Sequence, residues 1–291
     1  MVTYHPGVDL VVLAAGHGRR FGGLKQLYPV GPDGSAIMDY TARSAEACGF
    51  TRIVVIVRPE IHDEVEAHIA GRWPASLPVR LVDQMPLAGT APAVLSAAPE
   101  LEGAFAVANA DDLYGEDALR RLHDVTAAES EGGGAQLIVA YHLANTVLTD
   151  APVTRGLCEV DAGVLVAIHE QSVRRRPDGG FDSAPLGANR KSDPEAVFTS
   201  GLSGDELVSM NLWGFQPDML AELEQVVAAG RSGGADGSEL LLPDAVASLV
   251  ASGRGAVRVE STEGRCIGLT HPDDVELVRA EVARELVRRD G

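Results

Sequence analysis

The sequence predicts an α/β domain built on a doubly wound, mostly parallel sheet. Three observations predict it. Unbroken aliphatic runs at 10–15 and 53–57 read as strands buried on both faces, the pattern of a parallel sheet. Stretches of helical spacing alternate with such runs through the N-terminal half, as crossover connections require. The 291 residues are 45% hydrophobic but only 4% aromatic, so aliphatic side chains and alanine must fill a large core.

The elements follow in order. Residues 10–15 form the first strand. Residues 35–48 form a helix, with Met38, Thr41, Ala45 and Cys48 at helical spacing. Residues 52–57 are a strand, 60–69 a helix, 79–82 a short strand and 90–98 a small alanine-rich helix. A strand at 104–110 and a helix at 116–128 complete the repeating part. The second half changes character. Strands are expected at 136–143, 156–161 and 164–169, the last two joined by the tight turn Asp161-Ala162-Gly163. Residues 172–208 are rich in Arg, Pro, Gly, Asp and Ser and read as a loop insertion. A strand at 209–215, a helix at 218–229 and a glycine-rich linker at 231–237 follow. A helix at 242–251 carries Pro243 in its first turn, where proline is tolerated. A strand at 256–261 and a helix at 272–289 close the chain. We read 1–291 as one domain in two parts, 1–130 and 131–291.

The net charge of −18 argues against nucleic acid or an anionic membrane as partner. No apolar stretch approaches the ~20 residues of a membrane span. The run at 10–15 is too short, and too poor in preceding basic residues, for a signal peptide. Cys48, Cys158 and Cys266 are widely spaced and odd in number, which fits reduced thiols in the cytoplasm. A phosphate site on so acidic a chain must gather its own cations.

Such a gathering stands directly after the first strand. Leu13-Ala14-Ala15-Gly16-His17-Gly18-Arg19-Arg20-Phe21-Gly22-Gly23-Leu24-Lys25-Gln26 combines glycines with three cations within seven residues. Glycines let backbone N–H groups approach phosphate oxygens. Cations at that place neutralise a triphosphate and the charge building on a leaving pyrophosphate. The spacing is neither a Walker A loop nor a dinucleotide-binding turn.

This string resembles the opening signature of the sugar-nucleotide pyrophosphorylases, nucleotidyltransferases of GT-A-like fold that join a nucleoside triphosphate to a sugar 1-phosphate. The resemblance implies a three-layer α/β/α domain with a mixed, mostly parallel central sheet. It places the signature arginine at Arg20 and the lysine at Lys25. Arg19 stands where Ser or Thr is more usual. The Arg-to-Lys spacing is nearer to the cytidylyltransferases and molybdopterin guanylyltransferases than to the thymidylyltransferases.

Other segments extend the resemblance. Asn109-Ala110-Asp111-Asp112 ends a buried strand, so an acid there points into the crevice that the glycine loop lines. The resemblance makes Asp111 the ligand of Mg²⁺, a hard cation bound by one or two carboxylates plus substrate phosphates. Asp112 is expected beside it, as support or as a helix cap. Gln84, Gly89 and Thr90 fall where relatives surround the base. An amide that both donates and accepts suits the edge of uracil, thymine or cytosine. Arg155, Gly156, Glu170 and Asn211 fall where relatives bind the sugar. Where many relatives place a lysine after the acid, this chain has Gln171, so Arg155, Arg174, Arg175 and Arg176 are candidates for the acceptor-phosphate grip. His271 or Asp273 is the expected second metal ligand. Trp213, on an apolar strand, is expected in the core.

The expectation is therefore a Mg²⁺-dependent nucleotidyltransferase with catalytic residues Arg20, Lys25 and Asp111. It takes a nucleoside triphosphate, pyrimidine favoured, and a phosphorylated acceptor, and it is compatible with a homo-oligomer. A glycosyltransferase of the same fold, and a nucleotide-sensing domain without activity, are the alternatives.

Overall fold

The computed structural model describes residues 7–16, 18, 21, 24–86, 88–132, 134–186, 197–232 and 239–290. The N-terminal part alternates β1 (Asp9–Leu13), α1 (Ile37–Cys48), β2 (Ile53–Val57), α2 (His62–Arg72), β3 (Val79–Asp83), α3 (Thr90–Ser96) and β4 (Phe105–Asn109). A two-residue strand β5 (Asp112–Leu113) precedes α4 (Glu116–Gly132). Then come β6 (Gln136–His142), β7 (Val153–Asp161), β8 (Val164–Arg175), β9 (Phe181–Pro185), β10 (Thr199–Leu202) and β11 (Leu207–Phe215). The chain ends through α5 (Asp218–Ser232), α6 (Leu242–Ala251), β12 (Val257–Thr262), β13 (Ile267–Gly268) and α7 (Val275–Asp290).

Eleven strands form one mixed sheet in the order β10-β9-β8-β12-β6-β11-β4-β1-β2-β3, with β7 also paired to β8 and β11. The wing β3-β2-β1-β4 is parallel. Beyond it β11 runs antiparallel to both β4 and β6, and only β6 and β12 pair in parallel there. The expected predominance of parallel pairing therefore holds for the N-terminal wing alone. The reason is local in the β7–β8 hairpin. Ala162 and Gly163 both take positive φ, 46° and 80°, and a tight turn of this kind joins only antiparallel neighbours.

The segment 172–208 is also corrected. Its described residues complete β8 and form β9, β10 and the start of β11. Its polar composition reflects an antiparallel sheet with one solvated face, which carries no continuous apolar run. Residues 187–196, and 233–238 of the expected linker, lie outside the described residues.

Alternate residues of the central strands enter two cores. Leu10, Val12, Ile53, Val55, Ala106 and Ala108 join one, packed against side chains of α1, α2 and α4. Val11, Leu13, Val54, Ile56, Phe105 and Val107 join the other, packed against side chains of α3, α5 and α6. Strands buried on both faces read as unbroken aliphatic runs for this reason. Trp213 is fully buried in the second core, as expected. Asp39 ties the first core's helices together. It accepts the Ala36 N–H at the start of α1 (2.8 Å) and lies 2.8 Å from both His68 Nε2 and Trp73 Nε1. Among the described residues, no helix is long and apolar enough to cross a membrane.

Candidate active site

The carboxyl ends of β1 and β4 open into a cleft of about 460 Å³. Leu13, Ala15, Gly16, Gly18, Lys25, Gln84, Gly89, Thr90 and Asp111 line it, and all nine are residues singled out in the sequence. Asn109, Ala93, Glu239, Leu241 and Thr270 line it as well. Arg19 and Arg20 lie outside the described residues.

One end is built on the loop after β1. Gly18 takes φ 57°, a conformation that glycine adopts without steric cost. Gln26, almost fully buried, donates to Ala14 O (2.9 Å) and Gly16 O (2.7 Å). Arg58, just past β2, donates to Gly16 O as well (2.7 Å). These bonds hold the loop and the helical turn at Lys25–Leu27 together. Lys25 then reaches across the cleft to an ion pair with Asp111. Arg58 carries no sequence signal, because its role depends on the parallel register of β1 and β2.

The other end is built where the chain between β3 and α3 meets the start of α6. Gly89 takes φ 106°, and a Cβ there would lie 2.3 Å from Leu240 O. Leu240 donates to Ala88 O (2.9 Å) and accepts from the Ala91 N–H (3.1 Å), and Thr90 Oγ1 accepts from the Leu242 N–H (2.7 Å). Gln84 is buried and donates from Nε2 to Gly89 O (2.9 Å), which leaves its amide oxygen for a further partner. Glu239 and Leu241 reach the cleft through this docking. Sequence reasoning missed them because the docking is long-range.

Behind Asp111 a row of side chains is locked in place. Trp213 Nε1 donates to Asn211 Oδ1 (2.8 Å), Asn211 Nδ2 to Asn109 Oδ1 (2.7 Å), and Asn109 Nδ2 to Asp112 Oδ2 (2.7 Å). Asn211 adopts φ 58°, a left-handed conformation that asparagine tolerates better than most residues. Burial and the neighbouring Asp111 charge push the Asp112 carboxyl up to about 6, against the Asn109 hydrogen bond and the Arg155 and Lys25 charges. Asp112 therefore supports Asn109 and does not line the cleft.

The expected acceptor residues divide between the two faces of the sheet. A Cβ on Gly156 would lie 2.9 Å from Glu170 Oε1 and 3.5 Å from Ser209 Cβ, so these residues are neighbours. Asn211 joins the cleft through Asn109. Arg155 follows the opposite alternation of β7 and opens into a second cavity. Arg174 and Arg176 pair with Asp182, and Arg174 and Arg175 stack on Phe198 and Phe181. His271 lines the second cavity and Asp273 neither one. Asp274 accepts the Thr270 and His271 N–H groups (2.8 and 2.6 Å), so this turn spends its acid on capping. The residue it presents to the cleft is Thr270, held there because Leu269 N–H donates to Asp111 O (2.8 Å). Among the described residues, no three His, Cys, Asp or Glu side chains cluster as metal ligands. None of the three cysteines forms a disulfide, and burial pushes Cys158 up to about 12, far from a reactive thiolate.

The cleft lies at the carboxyl ends of the parallel strands of an α/β sheet, where such folds bind their ligands. The model of the MobA-like NTP transferase domain matches residues 10–176, and the chain belongs to that family. It is a nucleotidyltransferase by family. No curated protein sequence matches it significantly. Among solved structures it is similar to the inositol-1-phosphate CTP transferase from T. maritima, with 15% identity, a TM-score of 0.64, and 95% of this chain and 96% of that chain covered. It is also similar to a candidate glucose-1-phosphate thymidylyltransferase from Bacillus anthracis in complex with a sucrose, with 12% identity, a TM-score of 0.67 and 95% of each chain covered.

Proposed function

We propose that the protein joins a nucleoside triphosphate to a sugar 1-phosphate or a similar phosphorylated polyol on a GT-A-like three-layer frame, releasing pyrophosphate. The observation that carries this reading is the Lys25–Asp111 ion pair, set in a cleft with the Gly16–Gly18 turn at one end and the Gln84–Gly89 turn at the other. The triphosphate lies along the glycine turn, with Lys25, Arg19 and Arg20 matching its charge. The base lies against Gly89, where Gln84 and Glu239 offer acceptors. The acceptor hydroxyls meet Glu170, Asn211 and the bare backbone of Gly156. Both solved relatives bear names of pyrimidine nucleotidyltransferases acting on a polyol 1-phosphate, which supports a pyrimidine triphosphate here.

The oxygen donors at the cleft suit Mg²⁺. Asp111 is a carboxylate with part of its surface in the cleft, and Thr270 adds a hydroxyl. One carboxylate plus substrate phosphates is an ordinary Mg²⁺ set. The ion would supply charge neutralisation on the phosphates. The protein supplies the rest by positioning. The acceptor phosphate is ionised near neutral pH and attacks the α-phosphorus in line, and pyrophosphate leaves. Lys25 and Arg20 stabilise the negative charge that gathers on the leaving group. No covalent nucleophile is required.

A pyrophosphate-release screen tests the proposal. UTP, dTTP, CTP, ATP and GTP are each paired with glucose 1-phosphate, myo-inositol 1-phosphate and related phosphates, with Mg²⁺ present. Pyrophosphate release from at least one pyrimidine triphosphate is expected. Binding of triphosphate without release in any pairing would favour a sensing domain. Release of a nucleoside diphosphate from a nucleotide sugar would favour a glycosyltransferase.

A further inference from the structure

A second cavity, of about 360 Å³, lies on the other side of the strap formed by β5 and β13. Thr270 lines both this cavity and the nucleotide cleft, so the two adjoin without coinciding. The cavity's ionisable lining residues are Arg155, Asp112, His271 and Asp274, and Arg155 is its permanent cation. A guanidinium carries five N–H donors in a planar fork. Three of Arg155's hydrogen bonds are made within the protein, and all go to neutral oxygens: Thr146 Oγ1 (3.0 Å), Thr146 O (2.5 Å) and Thr154 O (2.7 Å). Two donors remain, and no carboxylate of the described residues forms an ion pair with the group. Asp112, Glu170 and Asp274 attract it only at longer range, while burial pulls it below its ordinary value. A partly buried guanidinium fixed by three hydrogen bonds, with no contacting carboxylate among the described residues, is a site prepared for an anion.

The remaining walls have a different chemistry. Asp112 reaches the cavity past Gly268, where a Cβ would lie 2.3 Å from its Oδ1. Thr149 and Thr154 add hydroxyls. A carboxylate and hydroxyls accept from hydroxyl groups, and the fork pairs with a phosphate. The volume falls in the range of small-molecule sites.

We propose that this second cavity binds a small phosphorylated polyol, with its phosphate on Arg155 and its hydroxyls on Asp112 and the threonines, at a site distinct from the nucleotide cleft. The proposal does not depend on the reaction catalysed in that cleft.

Calorimetric titration with glucose 1-phosphate and with inorganic phosphate tests it. Lys25→Ala serves as the background, which silences the triphosphate end of the first cleft, and the Arg155-dependent part of the binding is the readout for the second cavity. One site should persist there, and glucose 1-phosphate should bind at least about threefold more tightly than inorganic phosphate. Arg155→Gln should weaken both by tenfold or more, while UTP binding measured without Lys25→Ala stays unchanged. If Arg155→Gln does not fold, Ala151→Trp on the exposed rim should block the cavity with the same result. Unchanged binding in these variants, or complete loss of binding in Lys25→Ala alone, overturns the proposal. Equal affinity for the two probes overturns the polyol assignment.

Discussion

Lys25 and Asp111, 86 residues apart in the chain, form an ion pair in the cleft at the carboxyl end of the parallel strands. Each is about one-fifth exposed, 17% and 22%, so the pair is poised between burial and solvent. A site that receives a triphosphate needs both charges present and movable. Their mutual contact keeps each one compensated until the substrate's own charges arrive.

Removing either charge should disable turnover with little effect on the fold. Asp111→Asn and Lys25→Ala should each lower the pyrophosphate-release rate by ~10² or more, as for loss of a key electrostatic group. Thermal midpoints should stay within about 3 °C of wild type, since a partly exposed pair contributes about 1 kcal/mol or less. Near-wild-type rates in both variants would sink the assignment of this cleft.

Gly89 is constrained twice, by its φ of 106° and by the carbonyl of Leu240, 2.3 Å from where a Cβ would stand. Gly89→Ala should push the 239–242 segment off the base end of the cleft. KM for the triphosphate should rise about tenfold or more, with a smaller change in kcat, because the ground-state site is what moves. A stability loss of roughly 2 kcal/mol should accompany it. Steady-state kinetics and urea unfolding read the two effects, and an unchanged KM would contradict the base placement.

Asn211 links Asn109 to Trp213 and sits at φ 58°. Asn211→Ala should leave a buried indole N–H and an amide oxygen without partners and strain the backbone, costing about 2–4 kcal/mol. Asn211→Gly relieves the strain but not the lost bonds and should cost less than the alanine. The order of the two variants in urea midpoints checks this, and a reversed order would contradict the backbone argument.

Acid should reveal the turn before α1. Asp33 is held down at about 2 by hydrogen bonds from Ser35 Oγ and its N–H, opposed slightly by desolvation and aided by Arg43. A folded-state value below the unfolded 3.8 gives stability that is complete above pH 4 and fades as pH falls toward 2. Asp33→Ala should therefore lower the melting temperature most at neutral pH. The gap to wild type should narrow from pH 4 to pH 3 in a melting series, and a gap that widens with acid would contradict the assignment.

That the glycine loop, Lys25 and Asp111 share one cleft is legible in the residues themselves. Gly16, Gly18 and Lys25 lie in one short segment after a strand, and Asp111 ends another strand of the same apolar type. In a parallel wing such segments must meet at the carboxyl edge, so local pattern sufficed. The antiparallel half was harder to read. Polar strands such as β9 and β10 look like loop when only composition is seen, because one face is solvated. Arg155 and Gly156 are neighbours in sequence and looked like one site. Strand alternation sends them to opposite faces.

The sequence by itself determined the glycine-and-cation loop, the acid just past β4 and the aliphatic strands that bring them together, since each depends on short-range spacing. Tertiary structure decided the rest. It set Asp112 behind Asn109, put Thr270 in the cleft where His271 or Asp273 is the expected second metal ligand, and docked Leu240 against Gly89. It also gave Arg155 a cavity of its own. These depend on which residues, tens to hundreds of positions apart, share a face of the sheet, and burial and hydrogen-bond satisfaction settle that only once the chain has packed.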